Sequence, residues 1–177
     1  CLLSRGLGDV YKRQTKDYSS NISKATCNRA ISWLYFSGII GFCAKITEMD
    51  ILDFKSASRC YFMDMGLANY YLTRTGTDSR VLAGTLNENY VYINLKKRQD
   101  FPQEISFETP AFATYRGGEI DFVAQSLSSS TRYLIEVKAG KGTASTAQKA
   151  LAQGKADKLL YLKGATKGGI DLSLIHI

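Results

Sequence analysis

An α/β fold is predicted, and three features of the sequence predict it. After Gly84 the hydrophobic periodicity runs helix, strand, strand, strand, helix, strand. The strand-like runs are short, rich in β-branched and aromatic residues, and separated by Gly, Ser or Pro turn signals. Apolar residues make up 45% of the 177-residue chain, enough for a real core and for one domain with a small one beside it.

The elements follow in order. Residues 19–47, SSNISKATCNRAISWLYFSGIIGFCAKIT, offer Ser23 as a helix cap, because its hydroxyl can accept an unpaired N–H of the first turn. Ala30, Ile31, Leu34 and Tyr35 recur at helical spacing. Gly38 is placed to stop that helix before an apolar strand-like run from Ile39 to Ile46. A short helix pair ending in a hairpin is the pattern of a winged helix, so residues 15–58 are read as a winged-helix-like segment. Lys24, Asn28 and Arg29 are its candidate nucleic-acid contacts. Such modules serve about as often for packing or dimerisation, so the pattern alone does not assign DNA.

CYFMDMGLANYYLTRT, residues 60–75, reads as a strand followed by a helix, with Asp64 near the turn. A carboxylate there is catalytic or a cap and dipole partner, and the cap is the reading adopted. GTLNENYVYINLKKRQ, residues 84–99, is a helix whose stripe is Leu86, Tyr90, Ile93 and Lys97, with Val91 and Leu95 beside it. Lys96, Lys97 and Arg98 sit at its C-terminal end, where the macrodipole favours cations, and Glu88 sits in its first turns. EISFET (104–109), GEIDFVAQS (118–126) and RYLIEVKA (132–139) are read as strands, with SSST (128–131) as a hairpin loop. STAQKALAQGKA (145–156) reads as a helix and KLLYLKG (158–164) as a last strand. Residues 59–171 thus form the second unit.

The two ends stand apart. Asp9 to Gln14, written GAT GTG TAT AAG AGA CAG, has a reverse complement that translates as Leu-Ser-Leu-Ile-His-Ile, which is Leu172 to Ile177. Ends that are antisense translations of one oligonucleotide resemble a sequencing-library adapter, so 1–14 and 172–177 are set aside as adapter-derived. Residues 15–171 are then expected to be a fragment of a longer chain. Without Arg5, Lys12, Arg13 and Asp9 the net charge falls from +7 to +5. The only histidine, His176, also goes, leaving no His ligand or base. Cys27, Cys43 and Cys60 lack CxxC spacing, which fits reduced thiols in a cytoplasmic protein better than disulfides or a zinc site. No run of about 18 apolar residues exists, so no membrane span is expected.

The chemistry is concentrated in residues 119–141. Residues two apart on a strand share a face, so Glu136 and Lys138 point the same way as Leu134. On the preceding strand Glu119, Asp121 and Val123 share a face, and Ile120, Phe122, Ile135 and Val137 are expected to form the buried side. A hairpin can bring Asp121 near Glu136. Two carboxylates can share a hard cation such as Mg²⁺ or Mn²⁺, which assists attack of water on phosphorus, while Lys138 stabilises the developing oxyanion.

Helix, three strands, helix and strand, with Asp121 on the second strand and Glu136-Val-Lys138 on the third, resembles the PD-(D/E)XK nuclease superfamily. That resemblance implies a restriction-endonuclease-like core in which Asp121, Glu136 and Lys138 are the motif residues and Glu88 the acid on the leading helix. Ile120 stands where many members have Pro, and Gln148 lacks the aromatic residue four positions on that exonuclease-like branches carry. YFMDMGLANYYL, GTLNENYVYINLKKR, GGEIDFV and LIEVKAGK also resemble, in order, the domain of unknown function at the C-terminus of prokaryotic AAA-type ATP-binding proteins. That narrower resemblance implies an upstream P-loop ATPase, so ATP would bind there, and oligomerisation through that ATPase is left open. No G-x-x-x-x-G-K-[ST] occurs in this chain.

Three functions are therefore carried forward. The first is metal-dependent hydrolysis of DNA phosphodiesters, with DNA as partner and the basic charge supplying phosphate contacts. The second is a catalytically silent nuclease-fold module that docks DNA or protein beside the ATPase. In the third, the acids and Lys138 form ordinary ion pairs across a hairpin.

Overall fold

The computed structural model describes residues 23–53, 58–76, 78–100, 108–139, 142–163 and 170–171. The proposed adapter-derived ends and most of the strand expected at 104–109 lie outside these residues. Helix α1 spans Lys24–Phe36, and Ser23 caps it as expected, its hydroxyl accepting the Thr26 N–H at 3.1 Å. Gly38, at φ +71°, takes the left-handed conformation that turns the chain out of the helix. Strands β1 (Ile40–Thr47), β2 (Ile51–Asp53) and β3 (Arg59–Phe62) follow. Helix α2 spans Met65–Thr73, and Asp64 is its cap, accepting the Leu67 N–H at 2.7 Å. The long helix α3 covers Ser79–Asp100, starting five residues before the expected Gly84. Strands β4 (Ala111–Tyr115), β5 (Gly118–Gln125) and β6 (Arg132–Lys138), helix α4 (Ser145–Ala152), and strands β7 (Lys158–Lys163) and β8 (Ile170–Asp171) complete the described chain.

These strands form one mixed sheet in the order β2-β1-β4-β5-β6-β7-β8, with β3 pairing β1 off this path. Strand β1 is antiparallel to β2 and β3 but parallel to β4, in register Ala44↔Ala111 to Thr47↔Thr114. The sheet therefore runs across the 58/59 boundary expected between two units. Among the described residues a single helix, not a pair, precedes the β1–β2 hairpin.

The order helix, three strands, helix, strand is present, but its first described strand is Ala111–Tyr115. Pro110 closes the run before it, and Phe112, Thr114 and Tyr115 carry the β preference that EISFET only partly shows.

Both faces of the sheet are buried. One face packs Phe122, Ala124, Ile135 and Val137 against Val91, Tyr92 and Leu95 of α3. The other packs Ile120, Val123 and Leu134 against Ala147 and Ala150 of α4. Each fully buried side chain of this size stabilises the fold by about 2–3 kcal/mol. The expectation that Ile120 shares a face with Phe122 is thus corrected. The register of β4 against β5 shifts between Ala111 and Ala113, and such an irregularity moves side chains from one face to the other. Tyr92, absent from the expected stripe of α3, is one of its most buried residues, stacking on Tyr61 with ring centroids 4.6 Å apart. Lys97, placed in that stripe, is exposed.

Gly41 on β1 lies directly beneath Tyr92, whose hydroxyl donates to the Phe42 carbonyl at 3.0 Å. A Cβ at Gly41 would overlap the Tyr92 hydroxyl and ring. Gly41→Ala is therefore expected to destabilise the fold by about 1–3 kcal/mol, the usual cost of overpacking. Urea unfolding measures this, and a change under about 0.5 kcal/mol would contradict the close approach.

Candidate active site

The site forms where the β5–β6 ladder stops. The two strands pair from Gln125↔Arg132 to Phe122↔Ile135. One step further, Asp121 falls opposite Glu136, and the carboxylate of Asp121 enters the ladder in place of backbone. Its Oδ2 accepts the Val137 N–H at 2.8 Å, a buried bond that satisfies a donor the ladder would otherwise leave unpaired.

Lys138 joins the two acids. Its Nζ lies 3.1 Å from Asp121 Oδ2 and 2.6 Å from Glu136 Oε2. Glu136 is almost wholly enclosed, with its side chain 3% exposed, while that of Lys138 is 26% exposed. On the α3 side Glu88 feels the Asp121 charge and faces Arg59 Nη1 through its Oε2 at 3.9 Å. Arg59 Nη2 also donates to Glu119 Oε2 at 3.0 Å. Asp121, Glu136 and Lys138 are thus brought into contact as the strand pattern anticipates, and Glu88 stands near them.

The electrostatics follow from crowding acids in a dry place. Burial, then the charge of Asp121, push Glu136 up to about 7, against the opposing hydrogen bond from Lys138. The same two causes in the same order push Glu88 up to about 7, against Arg59 and Lys138. Burial works against the charge of Lys138, but Asp121 and the bond to Glu136 outweigh it and hold its pKa above the usual lysine value. Lys138 is therefore a fixed cation and a hydrogen-bond donor, not a base.

The donor set suits a hard divalent cation. Asp121 and Glu136 supply carboxylate oxygens that already touch one positive group, and a Mg²⁺ or Mn²⁺ site needs only one or two carboxylates beside water. Among the described residues no three His, Cys, Asp or Glu side chains converge as a ready ligand set, so Glu88 is a neighbour of the pair rather than a third member in place. Asn28 and Arg29 are exposed on α1 and form no part of the cluster, while the side chain of Lys24 lies outside the described residues. Arg59 is the residue that sequence reasoning missed. A lone arginine opening a short strand carries no local signal, and its partners lie 29 and 60 positions away.

A carboxyl with a raised folded-state pKa stabilises the fold fully below its unfolded value and loses that contribution as pH rises through the folded value. For Glu136 the window runs from 4.5 to about 7. Stability of the wild type is expected to fall from pH 5 to 8 by on the order of 2 kcal/mol. Glu136→Gln should remove its own share of that slope in denaturant titrations at each pH and leave the share that Glu88 contributes in the same window. An equal slope in both proteins would remove Glu136 as a source of it.

Among the described residues no helix is long and apolar enough to cross a membrane. No curated protein and no solved structure matches the chain. Residues 83–168 do match the model of DUF4143, a domain of unknown function, and the match takes in Glu88, Glu119, Asp121, Glu136 and Lys138 and leaves Arg59 upstream.

Proposed function

We propose that this domain is a metal-dependent nuclease of the PD-(D/E)XK type, hydrolysing DNA phosphodiesters at Asp121, Glu136 and Lys138. The observation that carries this reading is the meeting of two buried carboxylates on one lysine at the broken end of the β5–β6 ladder, with Glu88 close enough to feel the charge of Asp121. Four acids (Glu88, Glu119, Asp121, Glu136) stand against two cations (Arg59, Lys138), so the fully ionised cluster carries two negative charges in excess. One divalent cation balances that excess.

In this reading Asp121 and Glu136 hold the cation. When bound, it supplies Lewis-acid polarisation of the phosphoryl group and offsets charge in the transition state. Asp121 keeps its place through the Val137 N–H, which fixes the carboxylate plane. Lys138, kept protonated, donates to the oxyanion that develops on phosphorus or to the attacking water. The basic balance of the chain attracts the phosphate backbone. An AAA-type ATPase upstream, with ATP bound there, belongs to this proposal, as does a docking role for the exposed Asn28 and Arg29 on α1.

One observation favours the silent, docking-only alternative: Lys138 already pairs with both carboxylates. The two readings part in a cleavage assay. With Mg²⁺ or Mn²⁺ the chain is expected to nick plasmid DNA or shorten single-stranded oligonucleotides. Asp121→Asn and Lys138→Met should each lower the rate at least about 100-fold, the scale of lost transition-state donors and general catalysts. Asp121→Asn retains an acceptor for Val137, so loss of activity in a folded variant isolates the charge. Cleavage by both variants at the wild-type rate, or none by the wild type under any divalent metal, would eliminate the nuclease reading and leave the docking module.

A further inference from the structure

The acidic cluster does not end within residues 83–168. Arg59 enters it from β3, which among the described residues pairs with the sheet through β1. Its guanidinium lies 4.3 Å from the Phe112 ring centroid, which fixes the plane of the fork. From that plane Nη2 reaches Glu119, two residues before Asp121, and Nη1 faces Glu88 on α3. The side chain is 13% exposed, and its Nη1 is buried. The hydroxyl of Tyr61 lies beside the guanidinium and pairs with it. The carboxylate that Nη1 faces, at 3.9 Å, is about one ångström beyond a charge-assisted hydrogen bond.

We propose that Arg59 is a positioning residue of the cation site: it fixes Glu119 and directs Glu88 toward the cation held by Asp121 and Glu136. This rests on the metal reading above. Arg59 acts through Glu88 and does not itself meet the cation. Its plane is set by Phe112 on β4, its one end is held by Glu119 on β5, and its other end faces Glu88 on α3. A single side chain upstream of the domain match thereby ties three elements of that domain to one geometry.

Charge alone makes the opposite prediction, which sharpens the test. Removing a positive group near a cation site should tighten cation binding. Removing a group that orients a ligand weakens it, by about 10–100-fold in known sites. The probe is Mn²⁺ alone, its free concentration followed by electron paramagnetic resonance during titration of the whole chain. Arg59→Met is expected to weaken Mn²⁺ binding by about tenfold or more. Arg59→Lys should recover part of this, since one ammonium cannot span two acids. The double variant Arg59→Met/Glu88→Gln should bind no more weakly than Glu88→Gln alone, because the two residues act as one unit.

Unchanged or tighter binding by a folded Arg59→Met overturns the inference while leaving the metal reading intact. Losses that simply add in the double variant also overturn it, because Arg59 would then act on the fold and not through Glu88. If the wild type binds no Mn²⁺, the metal reading fails and takes this inference with it. Should Arg59→Met not fold, Arg59→Lys with and without Glu88→Gln supplies the same cycle.

Discussion

The carboxylate of Asp121 does the work of a backbone carbonyl. Strands β5 and β6 pair for four residues, and then Asp121 Oδ2, not a main-chain oxygen, receives the Val137 N–H. Ending a ladder inside a buried sheet normally strands polar groups without partners. Here the side chain that interrupts the pairing also satisfies the donor it exposes. Everything charged in the site gathers around that substitution. Because the strands stop pairing there, acids from the α3 side and the α4 side of the sheet can approach one another, whereas a continuous ladder would keep them on opposite faces.

Two buried cores hold this opening in place. Phe122, Ile135 and Val137 pack beneath α3, and Val123 and Leu134 pack beneath α4. Sliding either strand by one residue would send these side chains to the wrong layers. The packing thus fixes the register, and the register fixes which acid meets Lys138. The ionic part is a different matter energetically. A buried ion pair is weak evidence for stability, because desolvation offsets most of the attraction. Glu136 shows this directly: its carboxyl is driven toward the neutral form although Lys138 lies 2.6 Å away. That a cluster so poorly suited to stability occupies the centre of the sheet is the physical reason to seek a ligand for it.

What the sequence made legible was local. The Ser23 and Asp64 caps could be read because a cap bonds within three residues of itself. Asp121, Glu136 and Lys138 could be read because a strand alternates every two residues and a hairpin joins neighbours. The rest was hidden by distance in the chain. Strand β1 pairs with β4 across more than 60 positions, and apolar runs look alike whether they lie in a hairpin or in the middle of a sheet. Ile120 was assigned to the wrong face because alternation fails at an irregular step such as the β4–β5 register shift. Tyr92 lies off the stripe of Leu86, Tyr90, Ile93 and Lys97, yet it is buried, with its hydroxyl satisfied by the Phe42 carbonyl.

The same distance explains why the domain match and the physical unit differ. The match begins at residue 83, inside α3. Yet Tyr92 of that helix stacks on Tyr61, Asn89 bonds both the N–H and the carbonyl of Phe62, and Phe112 stacks beneath Arg59. Cys43 and Tyr61 belong to the same core as Val91 and Phe122. Removing β1 and β3 would uncover the face on which α3 rests and leave two side-chain hydrogen bonds of Asn89 unmade, a loss of about 1–3 kcal/mol for the polar part alone. The upstream strands are therefore part of the fold that shapes the acidic cluster, whatever else they contact. A side chain such as Arg59 can enter the site from them because the core, not the boundary of a sequence pattern, decides what is held together.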